Sequence, residues 1–143
     1  MSTRLPRKEL DYMLMPVISF QGNCDEALTY YKEVFDAEVK TINYFRDAPP
    51  NIGMDESTPP NFVLYSEVSI FGVNMVMCDG GEKPPESFWL QLTFDSAEKV
   101  TSVFNKLADG GKVIEPLAPQ FWASLNGNVD DRFGVHWNII TSS

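Results

Sequence analysis

Phe88, Leu90, Leu92 and Phe94 alternate with Trp89, Gln91 and Thr93. A strand over this stretch carries one uniformly apolar face. The period then changes. Val100, Val103, Phe104 and Leu107 fall on one stripe behind Asp95 or Ser96 as cap and Glu98 in the first turn, and Gly110-Gly111 ends the pattern. That predicts an amphipathic helix over about 95–109. Three further stretches, "KVIEPL", "FWASLNGNV" and "VHWNII", complete this half as strands.

The first half has the same order. "YMLMPVISF" has strand length, and Pro16 inside it predicts an edge position or a bulge. Asn23 is a good N-cap for a helix in which Ala27, Leu28, Tyr31, Val34 and Phe35 repeat at three- and four-residue spacing. "EVKTINYF" reads as a strand, and "FVLYSEVSIFG" and "VNMVMCD" read as two more around a tight turn at Gly72. Between them, residues 46–61 are rich in proline and acid without periodicity, which fits a lid over a binding site or a plain surface loop. The expected architecture is α+β, two βαβββ modules in a single domain over 1–143. Module one spans about 12–79 and module two about 87–141. Together they form a curved, cup-like mixed sheet with the helices on its outer face. A cup of this kind is a natural ligand site.

Charge narrows the partners. Twenty acidic against eleven basic residues give a formal charge of −9 and a pI near 4.4, which disfavours nucleic acid and anionic membranes. No apolar run approaches the roughly 18 residues that a spanning helix needs, and the start of the chain lacks an apolar signal core. A cytoplasmic protein is expected. Cys24 and Cys78 are too few for a disulfide scaffold. They are expected as free thiols, and Cys24 stands at a predicted helix start, where a thiol pKa can be lowered.

"MPVISFQGNCDEALTYYKEVFDAEV", "GGKVIEPL" and the ending "FWASLNGNVDDRFGVHWNI" resemble PhnB-like proteins of the vicinal oxygen chelate superfamily, which includes glyoxalases, extradiol dioxygenases and the bleomycin and fosfomycin resistance proteins. The resemblance covers both modules. In its enzymes a divalent metal binds two substrate oxygens as a Lewis acid. Matching the motifs position by position puts the expected ligands near Met15, Gln91 and Asn138, with Tyr65 where many PhnB-like sequences carry a histidine. None is a strong metal ligand, so no metal and no cofactor are expected. Arg132 replaces the usual proline after Asp131. No glycine-rich loop for a nucleotide or methyl donor is found.

In the last strand, alternation places Val135, Trp137 and Ile139 under the helices and His136, Asn138 and Ile140 toward the cup. Asp130, Asp131 and Gly134 read as turn residues. The ligand-binding candidates are therefore Tyr65, Met77, Trp89, Gln91, Trp122, His136 and Asn138. His136, the sole histidine, is either a hydrogen-bonded bystander or a ligand donor or general base. Met15, Met75 and Met77 also fit as adaptable core filling. The expected function is binding of a small molecule of unknown identity in an aromatic cup. The alternative is a metal-dependent lyase or isomerase with a modified metal shell, in which Glu67, Asp79 or Glu115 would contribute. The resemblance also implies a homodimer with Trp122 near the partner, which would protect exposed sheet edges.

Overall fold

The computed structural model describes residues 13–50 and 52–142. Tyr12, the expected start of module one, lies outside the described residues, as does the segment 1–11. The element order is β1 (Val17–Phe20), α1 (Cys24–Phe35), β2 (Glu38–Tyr44), β3 (Val63–Ile70), β4 (Val73–Asp79), β5 (Leu90–Phe94), α2 (Ala97–Ala108), β6 (Lys112–Gln120), β7 (Ala123–Asp130) and β8 (His136–Thr141). This is the expected α+β plan of two βαβββ modules. The strands divide into two four-stranded sheets, ordered β1-β4-β3-β2 and β5-β8-β7-β6. In each, the first strand runs parallel to the last and the other neighbours are antiparallel. Pro16 precedes an edge strand, as its missing N–H requires, and its carbonyl accepts from Val76 N.

Alternation decides which side of each sheet meets the helices. Trp137 and Ile139 of β8, with Val135 just before it, are buried with Val129 of β7 against Val100, Phe104 and Leu107 of α2. In module one, Ile18, Phe20, Val68, Ile70, Met75 and Met77 are buried on the side that carries α1. One apolar core runs through both modules. Tyr31 and Phe35 of α1 lie 6.0 and 5.0 Å from the Trp137 ring, centroid to centroid. Phe71, held at φ 50° in the turn before Gly72, touches both Phe35 and Phe94.

Two local readings need correction. Asn23 stands at the start of α1, but its side chain makes no cap hydrogen bond. Asp79 caps the helix from the end of β4, accepting at Oδ1 from Gly22 N (2.9 Å) and Cys24 N (3.0 Å) and at Oδ2 from Val63 N (2.9 Å). Phe121 and Trp122 are not strand residues. They form the turn between β6 and β7, with Phe121 97% exposed.

Candidate functional site

The sheet faces turned away from the helices carry the candidate site. In module two, four residues form a row across the sheet through strand register. Gln91 of β5 lies opposite Asn138 of β8, Asn138 opposite Asn128 of β7, and Asn128 opposite Glu115 of β6. Three of the four are joined by side-chain hydrogen bonds. Asn128 Nδ2 donates to Glu115 Oε1 (2.9 Å), and Asn138 Nδ2 donates to Asn128 Oδ1 (2.7 Å). The same Asn138 nitrogen also reaches Asn126 Oδ1 (3.0 Å) and Gly127 O (3.2 Å). Gln91 Nε2 donates to Thr93 Oγ1. Gln91 and Asn138 thus occupy the face that alternation assigns them.

His136 occupies that face too, but it is 7% exposed and both ring nitrogens are engaged. Nδ1 lies 2.5 Å from Asp130 Oδ1, and Nε2 donates to Pro84 O at 3.1 Å, since a carbonyl can only accept. Trp89 covers the ring with centroids 4.9 Å apart, and its own Nε1 donates to Glu86 O. The connection between the modules therefore runs against His136, and no ring nitrogen is left for another partner. Nothing in the local sequence around His136 shows this, because Pro84 is 52 residues away.

Module one presents a different face. Tyr65 and Glu67 of β3 share it, with the Tyr65 hydroxyl donating to Glu67 Oε2 (3.4 Å). Ser19 Oγ and Cys78 Sγ lie 3.9 Å apart across β1 and β4. A cleft of about 260 Å³ opens between β1 and the inter-module connection, lined by Val17, Ser19, Lys83, Pro84 and Phe88 among others. Met77 is not on this face. It is 1% exposed and lies in the core, because the register of β4 turns it toward α1. Met77 is therefore core filling and not a ligand contact. Trp122 is exposed at the β6–β7 turn, beside Phe121. The loop after β2 bounds its own cleft of about 370 Å³ between Phe45, Arg46, Pro50, Ile52, Met54 and Glu56.

Asp131 is more than a turn residue. Its Oδ1 accepts from Phe133 N and Val135 N, as a turn aspartate does. Its Oδ2 also accepts from the Tyr31 hydroxyl (2.5 Å) and Trp137 Nε1 (2.9 Å). The carboxyl is buried and ties α1 of module one to β8 of module two. Burial raises its pKa, against the pull of the four donors. Burial and the neighbouring Asp131 charge push the Tyr31 phenol well up. The lowered thiol pKa that a helix start allows is not found at Cys24. Burial, then the negative charge of Asp79, pushes the thiol far above its usual value, which outweighs the helix start. Both cysteines are free.

Among the described residues, the metal that the resemblance implies finds no fitting donor set. The matched positions hold the Met15 thioether, the Gln91 and Asn138 amides and the Tyr65 phenol. Among the described residues, no three His, Cys, Asp or Glu side chains are grouped to hold a metal ion. No described helix is long and apolar enough to cross a membrane.

Two four-stranded mixed sheets with one helix each, open on the side away from the helices, define the glyoxalase-type fold. The pattern of the family described as 3-demethylubiquinone-9 3-methyltransferase matches residues 13–140. Protein YjdN of Escherichia coli (strain K12) is 31% identical over 136 residues, covering 88% of this chain and 92% of its own. Protein PA1353 from Pseudomonas aeruginosa superposes with a TM-score of 0.79 at 26% identity, covering 92% of this chain and 98% of its own. A putative 3-demethylubiquinone-9 3-methyltransferase, PhnB protein, from Bacillus cereus gives 0.78 at 21% identity, covering 92% and 100%. The chain belongs to this family, and it shares its fold with the PhnB protein of Bacillus cereus.

Proposed function

We propose that the protein binds a small organic molecule on the strand faces opposite its helices, through aromatic side chains and neutral amides, without the divalent metal that the resemblance implies. The observation that carries this reading is the donor set. Positions that the resemblance matches to metal ligands hold a thioether, two amides and a phenol, and amides fix a ligand through directional hydrogen bonds where carboxylates and imidazoles would hold a cation. Tyr65 and Trp89 supply flat apolar surface on the same faces, which suits an aromatic ligand. Methyl transfer, the reaction in the family's description, does not find support in the turn that opens α1. Gly22 N and Cys24 N are already taken by Asp79, so the β1–α1 turn offers no free amide cradle of the kind that holds a nucleotide-like donor.

The test is thermal unfolding with a library of aromatic, cationic and amide compounds, run beside zinc, nickel, manganese and iron(II) salts and a chelator. A ligand at one hundred times its Kd adds about 2.7 kcal/mol of stability. Stabilisation by organic compounds that a chelator leaves unchanged is the expected result. A flat library response, with stoichiometric metal in the purified protein and stabilisation on adding it, would support the metal-dependent lyase or isomerase instead.

Assembly belongs to the same proposal. β6 is exposed along most of its length, with Val113 and Ile114 open, and it ends at exposed Phe121 and Trp122. An edge of this kind is suited to a twofold homodimer. Light scattering coupled to size exclusion should give twice the 16.1 kDa chain mass, and a monomer mass at micromolar concentration would overturn it. Cytoplasmic residence is proposed with it, since a reducing compartment keeps two cysteines free.

A further inference from the structure

We infer that the polar face of module two is an oriented amide relay, set by Glu115, that recognises a neutral ligand carrying an N–H beside a C=O, as in a lactam, cyclic urea or imide. This rests on the reading above that the strand faces bind a small molecule, and it names the chemistry of that ligand. The argument begins at Glu115. A carboxylate only accepts, so the Asn128 amide must turn its nitrogen to Glu115 and its oxygen the other way. That oxygen faces Asn138, which must answer with its nitrogen. The reverse orientation of Asn138 would set its oxygen against three acceptors, Asn126 Oδ1, Asn128 Oδ1 and Gly127 O. Two hydrogens of one NH2 group are thus shared among three acceptors, and Asn126 is fixed with its oxygen inward.

The consequence lies on the open side. Asn138 Oδ1 and Asn126 Nδ2 have no hydrogen-bond partner among the described residues. Asn126 is only 6% exposed, yet no fully buried side-chain nitrogen or oxygen lacks a partner among the described residues. Its free Nδ2 hydrogens therefore face the little open surface the residue has. The face presents one donor and one acceptor on two side chains joined by a 3.0 Å hydrogen bond. A ligand that offers an acceptor to Asn126 and a donor to Asn138 matches both. A carboxylate ligand matches only the first and would lie near Glu115 and Asp130. An ammonium ligand matches only the second.

The probes are 2-pyrrolidinone, its N-methyl derivative, which keeps the ring and carbonyl but lacks the N–H, and indole as a flat aromatic control. They are titrated into isotope-labelled full-length protein, with side-chain amide signals followed by NMR. The expected result is a shift of the Asn126 and Asn138 side-chain signals with 2-pyrrolidinone, and binding weaker by about three- to tenfold for the N-methyl compound, the value of one hydrogen bond. Glu115 is a positioning residue. E115Q lets either end of a neutral amide face Asn128, so the free variant should show displaced or doubled Asn128 and Asn138 side-chain signals with backbone signals otherwise kept, and weaker 2-pyrrolidinone binding. Asn126→Leu tests the donor without touching the relay's origin. Equal binding of both pyrrolidinones, or shifts confined to Tyr65 and Trp89, would overturn the relay while leaving small-molecule binding intact. Wild-type amide signals in E115Q would also overturn it. Silence of every cup signal toward all three probes would overturn the relay and count against the binding reading as well.

Discussion

Helices α1 and α2 are each twelve residues long and each carries acid in its first turn, but they are started by different means. α2 begins itself. Ser96 accepts from Lys99 N, three residues on, and the signal is contained in four consecutive residues. α1 is started from outside by Asp79, 55 residues from Cys24, and the carboxylate that does so also holds Val63 at the head of β3. Module two has its own remote aspartate, Asp131, which reaches back to Tyr31 of module one. Local caps set where an element begins. Buried carboxylates set how elements are joined.

The strongest way to break this comparison is to remove Asp131. Asp131→Ala leaves the Tyr31 hydroxyl and the Trp137 N–H buried without partners, along with two backbone N–H groups. Several buried donors at about 1–3 kcal/mol each, partly relieved by relaxation, predict a loss of about 4 kcal/mol in denaturant unfolding. A loss below about 1 kcal/mol would mean that the modules are joined by their apolar core alone. The pH dependence sharpens the same point. Burial holds the Asp131 carboxyl above its ordinary value near 3.8. The folded state therefore binds a proton more tightly than the unfolded state, and this stability is present below that ordinary value and lost as pH rises through the raised one. Asp131→Asn removes that slope. The difference in stability between the native chain and the variant should be largest in acid and shrink as pH rises toward neutrality. A difference that grows with pH would reverse the sign.

Asp79→Ala comes next. It removes acceptors from three N–H groups at the β1–α1 turn and the start of β3. Part of that turn is reached by water, so the loss should be smaller, about 2 kcal/mol. Hydrogen exchange should quicken at Gly22, Cys24 and Val63 and stay slow in α2.

These differences explain what could be read from the sequence. The strand at 90–94 and helix α2 were legible because their signals are periodic and local. Gln91 and Asn138 were placed on the right face by alternation alone. The connection of Asn138 to Asn126, Asn128 and, through Asn128, to Glu115 was not, because it depends on the register of three strands, with an irregularity in β6 between Val113 and Glu115. Phe121 and Trp122 look like strand residues by composition, yet the chain reverses there without a glycine or asparagine to announce it. Met77 failed by parity, since β4 is apolar on both faces for part of its length and period two cannot choose between them. The engaged state of His136 depends on a carbonyl in the inter-module connection, and a carbonyl carries no sequence signature.

The smallest effects test the comparison most cleanly, at the two helix starts themselves. Ser96→Ala deletes a side-chain cap that accepts from Lys99 N at 3.2 Å, and should cost about 1 kcal/mol. Asn23→Ala changes the residue type most favoured at that position, and on composition alone it should cost the same. In the structure, Asn23 Oδ1 accepts only from Gln21 N, an exposed contact outside the helix, and the first-turn N–H of Cys24 stays with Asp79. Its loss should therefore stay within about 0.5 kcal/mol, the range of ordinary surface changes. The two variants are measured side by side by urea unfolding, with a Ser96→Asp control that keeps a cap. If Asn23→Ala cost as much as Ser96→Ala, α1 would be started locally after all. The role given to Asp79 would then reduce to holding Val63, and the contrast between the two modules would rest on Asp131 alone.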